Sequence, residues 1–281
     1  MDATGSLGVI VALLAALVWG SGDYVGGRAT RGHHPYQVLA LVSLSGLVVL
    51  IIAALVRGET WPDGATVALS AVAGVAGGFG IAALYHGLAT AEAAVVSPTS
   101  AVVGAILPVL ISALTAGIPG PLKILGMIAG LLGIWIVTSD SSPASGGPRT
   151  GLTLGLIAGI GFGVFFICMA QVPREAVFSP LVVAKAVATT FALLVLALRR
   201  VSLPSPRANP VALVAGLLDA GGNVFYLVAA HLTRLDFAAL ISSMSPVVTV
   251  LLAGLFSRQR VSRVQWLGVL LCIAGVALIA A

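Results

Sequence analysis

Charged residues are scarce in this sequence of 281 residues: Asp, Glu, Lys and Arg make up 8% of it, whereas hydrophobic residues make up 59%. An ordinary soluble domain carries about 25% charged residues. So few charges cannot cover a fold that is surrounded by water. Residues 93–122, for example, contain no charge at all. The composition therefore excludes a soluble domain and predicts that lipid contacts most of the surface.

Cysteine and the familiar catalytic motifs are also nearly absent. Only Cys168 and Cys272 occur, and both lie inside apolar runs, which favours a packing role over a disulfide or a metal pair. The four histidines have no metal-binding spacing. The sequence contains no phosphate-binding glycine loop, Walker lysine or nucleophile elbow. We therefore expect no metal, no cofactor and no soluble catalytic or ATPase domain.

The net charge of +5 does not indicate nucleic-acid binding. The arginines lie in short connections between apolar runs, where membrane orientation requires them. A nucleic-acid binder needs a basic face, and the few aromatic residues do not interleave with basic ones. We expect no nucleic-acid partner. The first apolar run, from Leu7, lacks a basic leader and a clear cleavage site, so it is expected to remain as a span.

Long apolar runs dominate what is present. A helix that crosses a membrane needs about 20 mostly apolar residues. Ten segments meet this requirement, at residues 7–26, 36–56, 65–89, 93–116, 122–138, 151–171, 178–198, 210–230, 237–256 and 264–280. The sequence therefore predicts an all-α, polytopic membrane protein of ten transmembrane helices.

The two halves of the chain repeat each other. Leu125-Gly126 and Gly133 correspond to Leu267-Gly268 and Gly275, at a spacing close to half the chain. A polar stretch at the midpoint divides the chain into a first repeat (1–138), a linker (139–150) and a second repeat (151–281). Because five helices is an odd number, the second repeat must enter the membrane from the opposite side. The repeat is therefore predicted to be inverted, as in many transporters.

Glycine also recurs at a helical spacing. Gly155, Gly159 and Gly163, here called the glycine triple, lie four residues apart on one predicted helix. Small residues at this spacing let helices approach closely in lipid, where packing replaces the hydrophobic force. Chance matches in a glycine-rich chain are the alternative. The glycine triple predicts a close helix contact.

Two segments resemble a known family. The first span reads ALVWGSGDYVGG, and the chain closes with SSMSPVVTVLLAGLFSRQRVSRVQWLGVLLCIAGVAL. Both resemble EamA-type transporters of the drug/metabolite transporter superfamily, in which a Trp-Gly-Ser run is common near the start. The resemblance covers both repeats. It implies that the first four helices of each half line a central cavity, that the fifth and tenth lie outside it, and that both termini are cytoplasmic.

The charges in the connections predict the opposite orientation. Connections on the side of the termini hold four positive residues, whereas those on the other side hold nine. Cytoplasmic connections carry the excess of Lys and Arg, so this count places the termini outside. The charge count and the resemblance thus give two different orientations.

Lys185 is the most unusual residue, because it lies inside an otherwise apolar segment. A lysine at the bilayer centre costs about 2.5–3.5 kcal/mol on insertion scales and normally has a partner. Asp219 on the next helix is the natural one, at a depth that a lysine side chain can nearly reach. The alternatives are that Lys185 extends to water at the helix end, or that the pair only locks two helices.

Other polar residues favour a cavity. Asp219, Asn223 and Tyr226 share one helical face, and Tyr85 is the counterpart of Tyr226 in the first half. Polar packing between helices is the alternative for this face. Ser242 precedes Pro246, which either frees a carbonyl or only bends the helix. Asp23 is expected to be hydrated near the interface. The predicted substrate-binding residues are Trp19, Tyr24, Tyr85, Lys185, Asp219, Asn223, Tyr226 and Ser242.

The sequence predicts a carrier of a small organic solute in the cytoplasmic membrane, working by alternating access as the two halves rock. Export of amino acids or related metabolites, or of drug-like solutes, is what the resemblance implies. If transport is coupled to protons, Asp219 is the candidate carrier, with Lys185 tuning it. The alternatives are a passive channel or structural subunit and an intramembrane enzyme acting on lipid. Such an enzyme needs clustered His, Asp or Glu at one depth, and the sequence shows no such cluster.

Overall fold

The computed structural model describes residues 3–31, 33–90, 93–139, 148–257 and 261–281, and within them it contains α-helices, one short 3-10 turn and no strand. The helices are α1 (Ala3–Ala29), α2 (Pro35–Arg57), α3 (Gly64–Thr90), α4 (Ala93–Ala116), α5 (Pro121–Ser139), α6 (Pro148–Met169), α7 (Phe178–Leu198), α8 (Pro210–Leu232), α9 (Leu235–Ser242), α10 (Ser245–Ser257) and α11 (Arg263–Ala280).

The described part of the chain has ten apolar segments that are long enough to cross a membrane, which confirms the predicted fold class. Helices α9 and α10 together form the ninth crossing. Helix α6 begins at Pro148, whose fixed φ suits the first turn of a helix. We call the membrane face where α1 ends and α8 begins face A. The opposite face, where α1 begins and α11 ends, is face B.

Helices α5 and α11 show how the halves are related. A Cβ atom added to Gly126 would lie 2.8 Å from the carbonyl oxygen of Gly275, and one added to Gly133 would lie 2.7 Å from that of Gly268. The repeat equates Gly126 with Gly268 and Gly133 with Gly275, so exchanging the halves turns one contact into the other. Residue numbers rise along α5 as they fall along α11, so these equivalent helices are antiparallel. The twofold axis therefore lies in the membrane plane, and the repeat is inverted.

The two halves are interleaved. Helix α1 packs on α8, α3 packs on α6, and α2 packs on both α7 and α8. Exchanging the halves converts the contact of α1 with α8 into that of α6 with α3. Each of these contacts joins the first half to the second, so the halves share one packed body.

The predicted close helix contact at the glycine triple is confirmed, and its partner is α4. Cβ atoms added at its three positions would lie 2.6–2.7 Å from the Cβ atoms of Thr99, Val103 and Leu107 on α4. Such distances are shorter than any real side chain tolerates. Helix α6 therefore approaches α4 along three successive turns because these positions lack side chains.

Helix α7 is capped by the other half of the chain. Glu59, in the connection between α2 and α3, accepts hydrogen bonds from the backbone N–H groups of Val177, Phe178 and Ser179 at 3.1, 2.9 and 2.8 Å. Val177 itself provides no side-chain cap. The first N–H groups of a helix have no partner within it, and their partial positive charge favours a carboxylate. Glu59 thus fixes the start of α7 at face B.

The Glu59→Ala variant should lower the free energy of unfolding, because three N–H groups lose their acceptor. Loss of a helix cap costs about 0.5–2 kcal/mol. The measurement is thermal unfolding of the full-length protein in detergent. Glu175→Ala, in the exposed connection before α7, is the matched control and should be close to neutral. Equal stability of both variants would contradict the capping role.

Candidate functional site

The ninth crossing is broken in the middle of the membrane. Helix α9 ends at Ser242 and α10 begins at Ser245, with a turn between them. Pro246 has no N–H, so the carbonyl of Ser242 loses its helical hydrogen bond. Irregular backbone at this depth is tolerated only inside protein or beside a water-filled cavity. The break therefore marks a candidate site, and Pro246 interrupts the helix rather than only bending it.

Lys185 and Asp219 form the predicted ion pair between α7 and α8. The ammonium group of Lys185 donates to Oδ2 of Asp219. The lysine stem crosses Gly46 of α2, where an added Cβ would lie 2.9 Å from its Cε atom. Side-chain exposure is 12% for Lys185 and 28% for Asp219. Lys185 thus pairs inside the protein rather than extending to the membrane surface.

Asn223 lies one turn after Asp219 on α8 and supports it. Its side-chain amide donates to the backbone oxygen of Asp219 at 2.6 Å and to Oδ2 at 3.4 Å. Asn223 is buried, at 8% exposure, whereas Asp219 is partly open. The side chain of Asn223 therefore orients the carboxylate of Asp219. Because Asn223 is buried, it offers little surface to a solute.

Asp23, which the sequence predicts to be hydrated near the interface, is a member of this site. Its carboxylate faces Ser245 at the start of α10 and interacts with the charge of Asp219. Packing explains the position: a Cβ added to Gly22 would lie 3.6 Å from the backbone nitrogen of Asp219. Asp23 is exposed, and Asp219 beside it is partly exposed. The site therefore holds two carboxylates and one ammonium group.

One signal in the sequence indicates Asp23. It follows Trp19 by four residues, so both lie on the same face of α1. The predicted span ended at 26, which placed Asp23 near the interface, whereas α1 continues to Ala29. Asp23 therefore lies about 9 Å from the end of its helix, rather than about 5 Å.

Trp19 belongs to an aromatic cluster with Phe166 and Tyr226. Its ring lies 6.0 Å from that of Tyr226 and 5.8 Å from that of Phe166, between centroids. Gly222 makes room for the indole, because a Cβ there would overlap it. Tyr226 is fully buried and donates to the backbone oxygen of Phe166 at 2.7 Å. In this conformation Tyr226 supports Trp19 and presents no surface to a solute.

The remaining predicted residues lie apart from the charges. Ser242 is fully buried, with its hydroxyl 3.5 Å from the backbone oxygen of Ala12. The hydroxyl of Tyr24 lies 2.9 Å from that of Ser257, near the end of α10 at face A. The side chain of Tyr85 falls outside the described residues. The structure thus brings together Trp19, Lys185, Asp219 and Asn223.

The charged groups are reached from face A. Asp23, Asp219 and Lys185 lie about 9, 14 and 20 Å from the face-A ends of their helices, at ~1.5 Å per residue. Asp23 is exposed, and exposure falls from Asp219 to Lys185 along this line. On the face-B side, α9 is buried throughout 236–242, whereas on the face-A side most of α10 is only half-buried. The site is therefore open toward face A and closed toward face B.

Arg234 stabilises the closed arrangement at face B. Its guanidinium pairs with buried Asp236 at 2.8 Å and donates to the backbone oxygens of Ala116 and Gly117 at 3.0 and 2.7 Å. These oxygens end α4, in the first half, whereas Arg234 starts α9, in the second. A positive group at a helix C-terminus is favourable. Face B is thus held shut by a charged contact between the halves.

Comparison with known proteins identifies the family. The model of the EamA-like transporter family matches residues 6–139 and again residues 149–281. The chain belongs to the EamA-like transporter family. This confirms the resemblance found in the sequence, and membership places the protein among membrane transporters of small solutes. The family model matches once in each half of this EamA-like chain, as a duplicated chain requires.

The fold is shared with known structures, one of which matches nearly the full length of the chain. That structure is described only as "Crystal structure of protein", has a TM-score of 0.76 and is 22% identical, and the match covers 97% of the EamA-like chain and 96% of the other. At this identity the likeness shows the fold alone. A search of the curated proteins found no match.

Removing one member of the Lys185–Asp219 ion pair should destabilise the protein, because the other member stays buried without its partner. Lys185→Gln and Asp219→Asn should each cost about 1–3 kcal/mol, because each leaves one polar group without its partner. The double variant should cost less than the sum, with a coupling energy of about 0.5–3 kcal/mol. Unfolding of all four proteins in detergent measures this. Additive effects would show that the pair is not formed.

Proposed function

We propose that the protein is a secondary transporter that exports a small organic solute with an amino group, such as an amino acid or related metabolite, across the cytoplasmic membrane by alternating access. The observation that carries this proposal is the cluster of Asp23, Asp219 and Lys185, which lies in the membrane, open to face A and closed to face B. Charges in the membrane interior are expensive and line solute pathways. Access from one side at a time is what a carrier requires.

The charge of the site supports the choice of solute. Lys185 is paired with Asp219, which leaves the carboxylate of Asp23 in excess. A charge in low-dielectric surroundings needs a partner or a proton. The ammonium group of a solute would supply that partner. Trp19, on the same face of α1 as Asp23, suits the apolar part of such a molecule and attracts cations.

The interleaved packing changes which parts should move. The sequence predicts that the two halves rock, but α1 and α8 pack together although they belong to different halves. We propose that one moving unit contains α1, α8, α9 and α10, and the other α3, α4 and α6. Exchange of the halves turns one unit into the other, so the face-A-open and face-B-open states would be related by the twofold axis. Opening face B would break the contacts of Arg234 with α4.

Counterflow of labelled amino acids and amines in proteoliposomes tests the function. A transporter gives saturable exchange, whereas a channel or structural subunit does not, and an enzyme would alter the solute. Absence of saturable exchange across such a panel would overturn the proposal.

Asp23→Asn should raise the KM for amine-bearing solutes by about tenfold or more, since a lost interaction of about 1.4 kcal/mol is a factor of ten. The maximal rate should change less, because the variant removes a binding partner. Asp63→Asn is the matched control, since Asp63 caps α3 outside the membrane and asparagine caps helices equally well. Equal KM values for wild type and Asp23→Asn would remove Asp23 from the solute site.

Asp219→Asn tests proton coupling. A carboxylate that carries the coupling proton cannot be replaced by an amide, so this variant should lose uptake driven by a pH gradient while keeping solute exchange. The measurement is uptake into proteoliposomes with and without an imposed gradient. Full gradient-driven uptake by Asp219→Asn would rule out its coupling role.

A further inference from the structure

We propose that a groove on face B, away from the charged site, binds the phosphate headgroup of an anionic membrane lipid. The groove lies between the start of α5, the α6–α7 connection and the α8–α9 connection, and its volume is about 520 Å³. Sites for small ligands span about 300–1,000 Å³. Its walls include Gly120, Lys123, Arg174, Thr233 and Arg234. We call it the face-B groove.

The face-B groove is positively charged. Arg234 is neutralised by Asp236, and two of its other hydrogen bonds go to the end of α4. Within the described part of the chain, neither Lys123 nor Arg174 forms an ion pair with a carboxylate. Lys123 rests over the ring of Phe237, 5.4 Å from its centroid. Two positive charges thus remain available in the groove for an anion.

The depth of the groove matches that of lipid phosphates. Lys123 lies in the first turn of α5, and Thr233 directly follows the end of α8 at Leu232. Helix ends of this kind lie where the hydrocarbon of the bilayer gives way to headgroups. Basic pockets between membrane helices at this level bind lipid headgroups. Both the depth of the groove and its positive charge therefore favour a lipid phosphate as its occupant.

Two helices that line the groove expose apolar side chains close to the lining residues in sequence. Helix α1 contributes to the groove and exposes Leu7 and Ile10, at 49% and 55%. Helix α5 also contributes and exposes Leu122 and Leu125, at 44% and 58%. Acyl chains of a lipid held by its headgroup would lie along these side chains. A soluble anion would gain nothing from this surface, and that favours a lipid as the occupant.

A lipid here would act on the closed side of the protein. Arg234 lines the groove and also holds α9 to α4 at face B. A phosphate between Lys123 and Arg174 would join α5 to the α6–α7 connection around the same contact. Anionic lipid should therefore stabilise the conformation in which face B is closed.

Thermal unfolding of the full-length protein in mixed micelles tests this inference. Phosphatidylglycerol should raise the Tm in a saturable way, and phosphatidylcholine with the same acyl chains should not. The double variant Lys123→Gln/Arg174→Gln should lose most of this shift, because the groove loses both free charges. Arg57→Gln is the matched control, since Arg57 is an exposed arginine at the face-B end of α2, outside the groove. It should keep the shift.

Two results would overturn the proposal. One is an equal shift with phosphatidylcholine, or an undiminished shift in the double variant. The other is a full shift with inorganic phosphate or glycerol 3-phosphate alone, which would show that the groove binds a soluble anion. If the double variant does not fold, Arg174→Gln, in an exposed connection, replaces it, and native mass spectrometry counts the phosphatidylglycerol bound. The same count for Arg174→Gln and wild type would also refute the site.

Discussion

Close approach of helix backbones at residues without side chains is the constraint on which this structure depends. Lipid is as apolar as leucine, so the hydrophobic effect does not press membrane helices together. Glycine lets backbones approach until dispersion contacts and polar contacts stabilise the pair. The glycine triple does this for α6 on α4, and Gly126 with Gly275 does it for α5 on α11. The twofold scaffold is built from such contacts.

The scaffold is symmetric, but the site is not. The register that equates Gly126 with Gly268 also equates Lys185 with Ser43 and Asp219 with Gly77. In this register Tyr226 corresponds to Leu84, so the predicted match with Tyr85 is off by one residue. The first half therefore provides packing where the second half provides an ion pair. Asp23 on α1 adds the third charge, so the site takes its charged groups from both halves. This combination needs the interleaved arrangement, in which α1 packs on α8.

The broken ninth crossing connects the site with the closed face. Its face-B part, α9, is buried and carries Arg234 at its start, whereas its face-A part, α10, is mostly half-buried and carries Ser245 against Asp23. A proline near the break removes one helical hydrogen bond, which lowers the energy of a change in the angle between the two parts. The same crossing thus belongs to the solute site and to the contact that closes face B.

The sequence by itself determined the ten crossings and the inverted repeat, and it indicated Asp219 as the natural partner of Lys185. Apolar length, duplication and the cost of an unpaired membrane charge are properties of segments and their order, so they can be calculated without coordinates. Only the tertiary structure decided that Asp23 joins the site, that Tyr226 is buried beneath Trp19 and that Ser242 packs against α1. Those outcomes depend on the rotation of each helix and on which distant helix it meets. Rotation and partner follow from where glycines let helices far apart in the chain approach closely, and a pattern within one segment does not specify them.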